Sequence, residues 1–289
     1  MSNADRKAYR FTQRLRVRWA EVDLQGIVFN AHYLMYIDTA IADYWRALAM
    51  PYPQALTHFG GDLFVRKATC EYHASAGYDD QIEVGIRCAR IGNSSIQFDA
   101  AIFRAEELLL TAELVYVYAD PAAKKSMSVP QEFRQILESY EAGRPMVQVR
   151  VGSWDELGAV AQPIRHEVFI AEQKIPADLE WDGADETCVH AVAFNLYGLP
   201  LATGRLLEHV PGVAKIGRMA VRREMRGSHT GRAVLEALMA AARARGDHEA
   251  VLHAQVSAEG FYARCGFVPR GPRFDEAGIE HVEMVRALR

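Results

Sequence analysis

Residues 17–45, VRWAEVDLQGIVFNAHYLMYIDTAIADYW, read as a strand, a tight turn carrying an acid, and one long apolar helix. Val17 and Trp19 alternate with Arg16, Arg18 and Ala20, the period of a half-buried strand. Gly26 permits a sharp turn after Asp23. From Ala31 the period lengthens, and Leu34, Ile37, Ile41, Tyr44 and Leu48 fall on one helical face. Only Asp38, Asp43 and Arg46 are strongly polar, so the helix is expected to be wrapped by other elements. Asp23 lies just before the helix N-terminus, where backbone N–H groups point outward. Its position fits a cap or turn residue as well as a reactive carboxylate.

Beyond this unit, Pro51 and Pro53 mark a loop. Four runs rich in Val, Ile, Phe and Tyr follow at 63–72, 81–91, 94–104 and 109–119. Gly92-Asn93 joins the second to the third as a hairpin, and Glu106-Glu107 tips the next. With a strand at 11–20, the pattern predicts five strands paired antiparallel and curled around the long helix. A short polar helix at 130–140 ends this half, and 141–145, EAGRP, reads as the linker. The predicted domains are therefore 1–144 and 145–289.

The second half changes its order of elements. Strands are expected at 146–154, 189–195, 201–207, 214–221, 250–256 and 279–285. Helices are expected at 156–170 and 230–245, with a short one at 258–265. This mixture implies a separate α/β domain, so the whole chain is of the α+β class.

Composition excludes several functions. Half of the 289 residues are hydrophobic and 24% are charged, the profile of a globular chain. No apolar run is long enough for a membrane span, and the first residues lack a signal-peptide core. A net charge of −4 argues against a broad nucleic-acid footprint. Cys70, Cys88, Cys188 and Cys265 are scattered without a C-x-x-C pair, so reduced thiols in a cytoplasmic protein are expected. The ten His show no metal-ligand spacing, and no metal site is expected.

The run 23–33, DLQGIVFNAHY, resembles the signature of hot-dog acyl-CoA thioesterases, in particular the 4-hydroxybenzoyl-CoA thioesterase-like, YbgC-type group. Three later segments fit the same fold: TCEYHASAGYDDQIEV, ARIGNSSIQFDAAIFR and LLLTAELVYVYADPAAKKSMSVP. The resemblance implies that Asp23 acts as nucleophile or general base on an acyl-CoA thioester. The N–H donors near Asn30–His32 would then stabilise the oxyanion. Asn30 stands where several members carry His, and an amide cannot act as acid or base near neutral pH. Tyr33 matches a common family tyrosine, and its position also suits a core aromatic. His32 suits a helix start, and Ser94-Ser95 falls where the family keeps a small polar residue near the CoA entrance. The resemblance also implies a homodimer or homotetramer with sites shared between subunits.

In the second half, IGRMAVRREMRGSHTGRAVLEALM resembles the acetyl-CoA motif of GNAT N-acetyltransferases, R-x-x-G-x-G/A. Arg226, His229 and Gly231 take its three positions, with His229 in place of the first Gly. A Gly-containing loop opening a helix presents N–H groups to phosphate. HAQVSAEGFYARCGFVPRG resembles the family's C-terminal motif, and EVFIAEQKIP and EAGIEHVEM resemble its ElaA-type subgroup. The resemblance assigns Met219, Ala220 and Val221 to pantetheine. It assigns the pyrophosphate to Arg226, Gly227, Ser228, His229, Thr230 and Gly231, with Arg232 adding charge. It makes Tyr262 the proton donor to the CoA thiolate. Glu172, His190 and His281 are candidates for the amine's base.

Together these imply a fused enzyme using acyl-CoA or acetyl-CoA as substrates, with no metal or flavin. One domain would hydrolyse a thioester and the other would acylate an amine. The departure at His229 leaves open a CoA-sensing second domain. The departure at Asn30 leaves open a first domain that serves only as an oligomerisation scaffold.

Overall fold

The computed structural model describes residues 5–288. The chain divides into two compact units, Met1–Met146 and Val147–Arg289.

In the first unit, β1 (Phe11–Arg16) leads through a 3₁₀ turn at Trp19–Glu21 to α1 (Asn30–Ala47) and α2 (Tyr52–Phe59). Then come β2 (Asp62–Tyr72), β3 (Gln81–Ile91), β4 (Ser95–Arg104), β5 (Glu107–Asp120), the short β6 (Lys125–Ser126) and α3 (Gln131–Glu141). The strands form one antiparallel sheet in the order β1-β3-β4-β5-β2, with β6 added to β5. Long, alternating Val/Ile/Phe/Tyr strands supply its buried face. Ile82, Val84 and Ile86 of β3 and Phe98, Ala100 and Ile102 of β4 are all buried.

The long helix is the centre of this unit. It buries Tyr33, Tyr36, Ile37, Ala40, Ile41, Tyr44 and Trp45, and Leu48 follows just past its end. A fully buried Ile or Leu contributes about 1.5–3 kcal/mol. Tyr44 is inaccessible and meets Phe11, Phe98 and Tyr140 edge-on, with centroids 5.6, 5.7 and 5.3 Å away. Its hydroxyl donates to Glu141 Oε1 at 2.6 Å, and the same oxygen accepts the Cys88 N–H at 2.9 Å.

Four expectations need correction here. Residues 17–20 are not strand: β1 ends at Arg16, and Trp19 sits on the 3₁₀ turn, largely exposed. Leu34 is exposed and Tyr33 beside it is buried in its place, whereas the other four predicted positions, Ile37, Ile41, Tyr44 and Leu48, are buried. The Pro51 region is helical: Pro51 caps α2 and Pro53 takes its second position, where a missing N–H costs nothing. Glu141 is not linker but the last residue of α3, and that helix is amphipathic, burying Phe133, Ile136, Leu137 and Tyr140.

The second unit opens with β7 (Val147–Gly152) and α4 (Trp154–Arg165), whose start is closed by a capping box between Ser153 and Glu156. Pro163 lies inside α4, and the helix widens into a π-turn over His166–Glu172. Then follow α5 (Ala177–Glu180), β8 (Val189–Asn195), β9 (Pro200–Val210), β10 (Val213–Val221) and α6 (Thr230–Arg245). The chain continues through β11 (Glu249–Gln255), α7 (Glu259–Arg264), β12 (Val268–Glu276) and β13 (Ile279–Ala287). The sheet order is β12-β13-β11-β10-β9-β8-β7. All of its pairings are antiparallel except β10 with β11.

Helix α6 packs Val234, Leu235, Leu238 and Met239 into a core shared with Leu206, Ile216 and Leu252. Gly204 on β9 makes this approach possible. A Cβ there would lie 2.5 Å from the Met219 sulfur and 2.8 Å from a Leu238 methyl. Strand β12, α5 and the π-turn are elements that the periodicity did not reveal. All four cysteines are free thiols.

Candidate active sites

In the first unit, two isolated bridges, Val22 with Val28 and Ile27 with Gly77, pinch residues 22–28 into a loop before α1. The Asp23 N–H donates to the Ile27 carbonyl at 2.9 Å, and the Gly26 N–H to the Asp23 carbonyl at 3.0 Å. Gly26 has φ +77°, which explains glycine at that point. Asp23 is half-buried, and its Oδ1 accepts the Gln25 N–H at 2.8 Å. The carboxylate therefore closes its own turn and does not cap α1. The cap position of α1 belongs to Phe29, which makes no side-chain cap bond. The opening turn of α1 thus presents backbone N–H groups without a side-chain acceptor.

Asn30 is exposed at the first position of α1, and its carbonyl accepts the Tyr72 hydroxyl at 3.1 Å. His32 leans on Phe29, with its Nδ1 3.3 Å from the Met35 sulfur. Tyr33 is buried, and its hydroxyl accepts the Ala76 N–H at 2.9 Å. That bond ties α1 to the segment whose Gly77 bridges Ile27, so Tyr33 holds the frame of the Asp23 turn. The Ser95 carbonyl closes the β3–β4 hairpin by accepting the Gly92 N–H, and the Ser94 carbonyl accepts the Tyr118 N–H from β5.

Sequence reasoning missed Glu21. It is buried, and it accepts from the Tyr36 hydroxyl at 2.7 Å and the Arg18 Nε at 2.6 Å. Burial works to raise its carboxyl, but the bonds from Arg18 and Tyr36 hold it below its ordinary value. Glu21 is therefore a fixed anion two residues before Asp23. Its carbonyl accepts the Phe29 N–H, which draws the turn onto the helix start.

In the second unit the site is an opening between strands. β10 and β11 pair in parallel only over Val213–Lys215 and Glu249–Val251. Beyond that, β10 shifts register against β9 between Gly217 and Ala220, with Arg218 at φ +52°. A cleft of about 640 Å3 opens there. It is lined by Gly217, Arg218 and Met219 of β10, by Gln255, Ala258 and Tyr262, and by His253, Glu276 and His281. Tyr262 is buried on α7, and burial pushes its hydroxyl pKa up, so it stays protonated at neutral pH.

The loop from Arg222 to the start of α6 lies past the end of β10. Gly227 and His229 are both left-handed, at φ +85° and +64°. The His229 carbonyl accepts the first intrahelical bond, from the Ala233 N–H, and its side chain makes no cap bond. Arg226 forks onto Glu172 at 2.7 and 2.6 Å. Ser228 Oγ bonds the Met225 carbonyl and Thr230 Oγ1. At Gly231 a Cβ would reach 3.0 Å from a Val221 methyl, so the helix start is pressed against the strand end.

A model of the Thioesterase superfamily matches residues 25–111, and one of the Acetyltransferase (GNAT) domain matches residues 182–288. The acyl-CoA thioester hydrolase YbgC of Escherichia coli is 32% identical over 130 residues, which is 43% of this chain and 96% of the relative. The uncharacterized N-acetyltransferase YjcF of Bacillus subtilis is 32% identical over 124 residues, 43% of this chain and 87% of the relative. The chain belongs to both families. It joins a hot-dog thioesterase domain to a GNAT acetyltransferase domain. A solved 1,4-dihydroxy-2-naphthoyl-CoA thioesterase from Synechocystis also aligns, at 19% identity and TM-score 0.41, over 44% of this chain and 94% of that one.

Within the acetyltransferase domain, the residues singled out from sequence separate into groups. Met219 and Tyr262 line the cleft together. The Ala220 side chain is buried against Ile164, Val168 and Phe169, and Val221 packs toward the α6 core. Arg226 to Gly231 form the helix-opening loop outside the cleft lining. Arg232 faces a separate depression of about 450 Å3 shared with Arg243, Arg264 and Arg286.

The three candidate bases also part company. The bond from Arg226 holds the Glu172 carboxyl below its ordinary value, which makes it a poor proton acceptor. His190 is buried, with its Nε2 bonded to the Asp185 carbonyl at 2.9 Å, and burial lowers its pKa. His281 alone of the three lines the cleft. Its neighbours His253 and Glu276 were missed, although the stretch FDEAGIEH carries two of the three residues.

Proposed function

We propose that the chain is a bifunctional acyl-CoA enzyme. The thioesterase domain hydrolyses an acyl-CoA thioester, with Asp23 as nucleophile or general base. The acetyltransferase domain moves an acetyl or acyl group from CoA to an amine. What carries the reading is a pairing that occurs in both domains: a chemistry-bearing side chain and a helix start that has no side-chain cap. In the first domain these are Asp23 and the opening turn of α1. Its N–H donors suit the oxyanion that forms as the thioester carbonyl is attacked. In the second, the opening turn of α6 suits the pyrophosphate, and the gap between β10 and β11 suits the pantetheine arm. Arg226 would exchange Glu172 for phosphate when CoA binds.

Tyr262 would give its proton to the departing thiolate, and its raised pKa keeps that proton available at neutral pH. Tyr262→Phe keeps the ring that packs on Phe261 and Phe267 and removes only the hydroxyl. Amine acetylation should fall by about 10–100-fold, with CoA affinity kept and Asp23-dependent hydrolysis untouched. The check is acetyl transfer in parallel with free-CoA release and calorimetric CoA titration. Unchanged transfer would exclude Tyr262 as the donor.

The thioesterase domain is proposed to work as a dimer through β2. This eleven-residue strand ends the sheet order, and Phe64 and Val65 on it are exposed. A long apolar edge strand invites pairing with a second copy. The full-length chain should sediment as a dimer or tetramer, and Phe64→Lys with Val65→Lys should shift it toward monomer. A wild-type monomer at micromolar concentration would sink this arrangement.

A further inference from the structure

In the acetyltransferase cleft, three polar side chains stand together as one wall, and of these only His281 has been weighed for the chemistry so far. They come from three neighbouring strands: His253 from β11, Glu276 from β12 and His281 from β13. Their arrangement is built. His253 Nδ1 lies 3.0 Å from Glu276 Oε2, and His281 Nδ1 lies 2.7 Å from the Ile279 carbonyl. A carbonyl can only accept, so His281 carries its proton on Nδ1, and Nε2 is left as a lone-pair nitrogen. Phe274 separates the two imidazoles, edge-on to His253 at 4.9 Å and stacked on His281 at 6.0 Å. Both rings are thus fixed in orientation. His281 is nearly inaccessible, whereas Glu276 sits at the rim.

We infer that this wall is the acceptor side of the cleft, where Glu276 and His253 receive a primary alkylammonium group and His281 Nε2 takes its proton. The inference rests on the acetyltransferase reading above. Burial acts to raise the Glu276 carboxyl, but the bond from His253 and the charge of Lys215 hold it below its ordinary value. Glu276 is therefore an anion at neutral pH, suited to draw in a cation. The apolar side chains of Phe169, Ile175, Leu179 and Leu207 line the same cleft and suit an alkyl stem.

The proton balance is simple. The ammonium gives one proton to His281 Nε2 and becomes a free amine. Its nitrogen attacks the thioester carbonyl carbon, so a C–N bond forms and the C–S bond breaks with its electron pair on sulfur. Tyr262 protonates that thiolate, and the second proton leaving the nitrogen restores Tyr262. His281 then releases its proton to water. The products are the amide, CoA and one proton. Within this scheme His281 is a catalytic residue, and Glu276 and His253 position the acceptor.

The test uses the full chain, acetyl-CoA, and spermidine, lysine methyl ester and 2-phenylethylamine as acceptors. His281→Asn keeps an N–H for the Ile279 carbonyl but has no basic nitrogen. It should lower kcat by about 100-fold or more, with acetyl-CoA affinity by calorimetry unchanged. Glu276→Gln keeps a hydrogen-bonding group for His253 but loses the charge. It should raise the amine KM about tenfold with a much smaller effect on kcat. Transfer by His281→Asn within threefold of wild type, with CoA bound normally, overturns the inference and leaves the acetyltransferase reading standing. If His281→Asn fails to bind CoA, an unchanged amine KM in Glu276→Gln overturns it instead. A wild type that binds CoA but acetylates none of the three amines overturns the reading and the inference together.

Discussion

Asp23→Asn is expected to cut the release of free CoA from acyl-CoA by about 10²–10⁴-fold while the fold stays intact. The turn survives because its bonds do not need the charge. Oδ1 accepts the Gln25 N–H, and an amide oxygen at the same place does so equally well. The other two bonds of the turn are backbone to backbone. What the substitution removes is the basicity and nucleophilicity of the carboxylate in the turn before α1. Water or the carboxylate itself must attack the thioester carbon, and an amide can neither take a proton nor form the anhydride. Neighbouring Glu21 cannot replace it, because its carboxylate is buried and engaged by Arg18 and Tyr36. Hydrolysis would be followed by thiol release, folding by thermal denaturation, and the second domain by acetyl transfer. Hydrolysis within about threefold of wild type would remove Asp23 from the mechanism.

Much of this arrangement could be read from the chain, for reasons that differ by element. The strands of the thioesterase domain are long and bounded by turn residues, so β3 at Gln81–Ile91 matches the expected 81–91. Helix α6 at Thr230–Arg245 and strand β8 at Val189–Asn195 match as well, because each has one period and a sharp end. The misses share a cause. β12 reads VPRGPRFDE, with two prolines, a glycine and almost no apolar alternation; it is an edge strand, exposed nearly throughout. Its absence from the sequence reading hid Phe274 and Glu276, and with them the wall that carries His281. Glu21 was missed because a charged residue in an alternating stretch reads as the exposed face. Only the fold reveals that Arg18 and Tyr36 converge on it. Trp19 failed in the opposite sense: an apolar residue in strand register that lies exposed on a 3₁₀ turn, 5.6 Å from Tyr78.

The second large effect concerns the floor of the acetyltransferase cleft, where six charges lie together. Arg165 is inaccessible. Its guanidinium pairs with Glu180 and, at 2.7 Å, with Asp185, and it lies against the Trp154 and Trp181 rings. Arg205 bridges Asp185 and Asp182, and Arg218 bridges Glu180 and Asp182. Three cations and three anions therefore balance, and Glu180, Asp182, Arg205 and Arg218 line the cleft. Arg165→Met keeps an unbranched apolar stem and removes one cation. Breaking a buried pair in this way costs about 3–5 kcal/mol, because the partner is left as an uncompensated charge. The loss should fall on the second unit alone.

Its pH dependence has a definite sign. In the wild type, burial raises the Glu180 carboxyl against the pull of Arg165, whereas Asp185 is held low by Arg165 and Arg205 despite its burial. Removing Arg165 must push Glu180 higher still. A group whose folded pKa is raised contributes most below its unfolded value, and that contribution is lost as pH rises through the folded value. The deficit of Arg165→Met should therefore shrink toward pH 5 and grow above neutrality. The wild type should instead lose stability below about pH 4, where Asp182 and Asp185 take up protons in the unfolded chain while the neighbouring arginines keep them ionised in the folded one. Urea denaturation followed by tryptophan fluorescence measures the first slope at pH 5, 7 and 8.5, and the second between pH 5 and pH 3. A deficit under about 1 kcal/mol, equal at all three pH values, would mean that Arg205 and Arg218 hold the anions without Arg165.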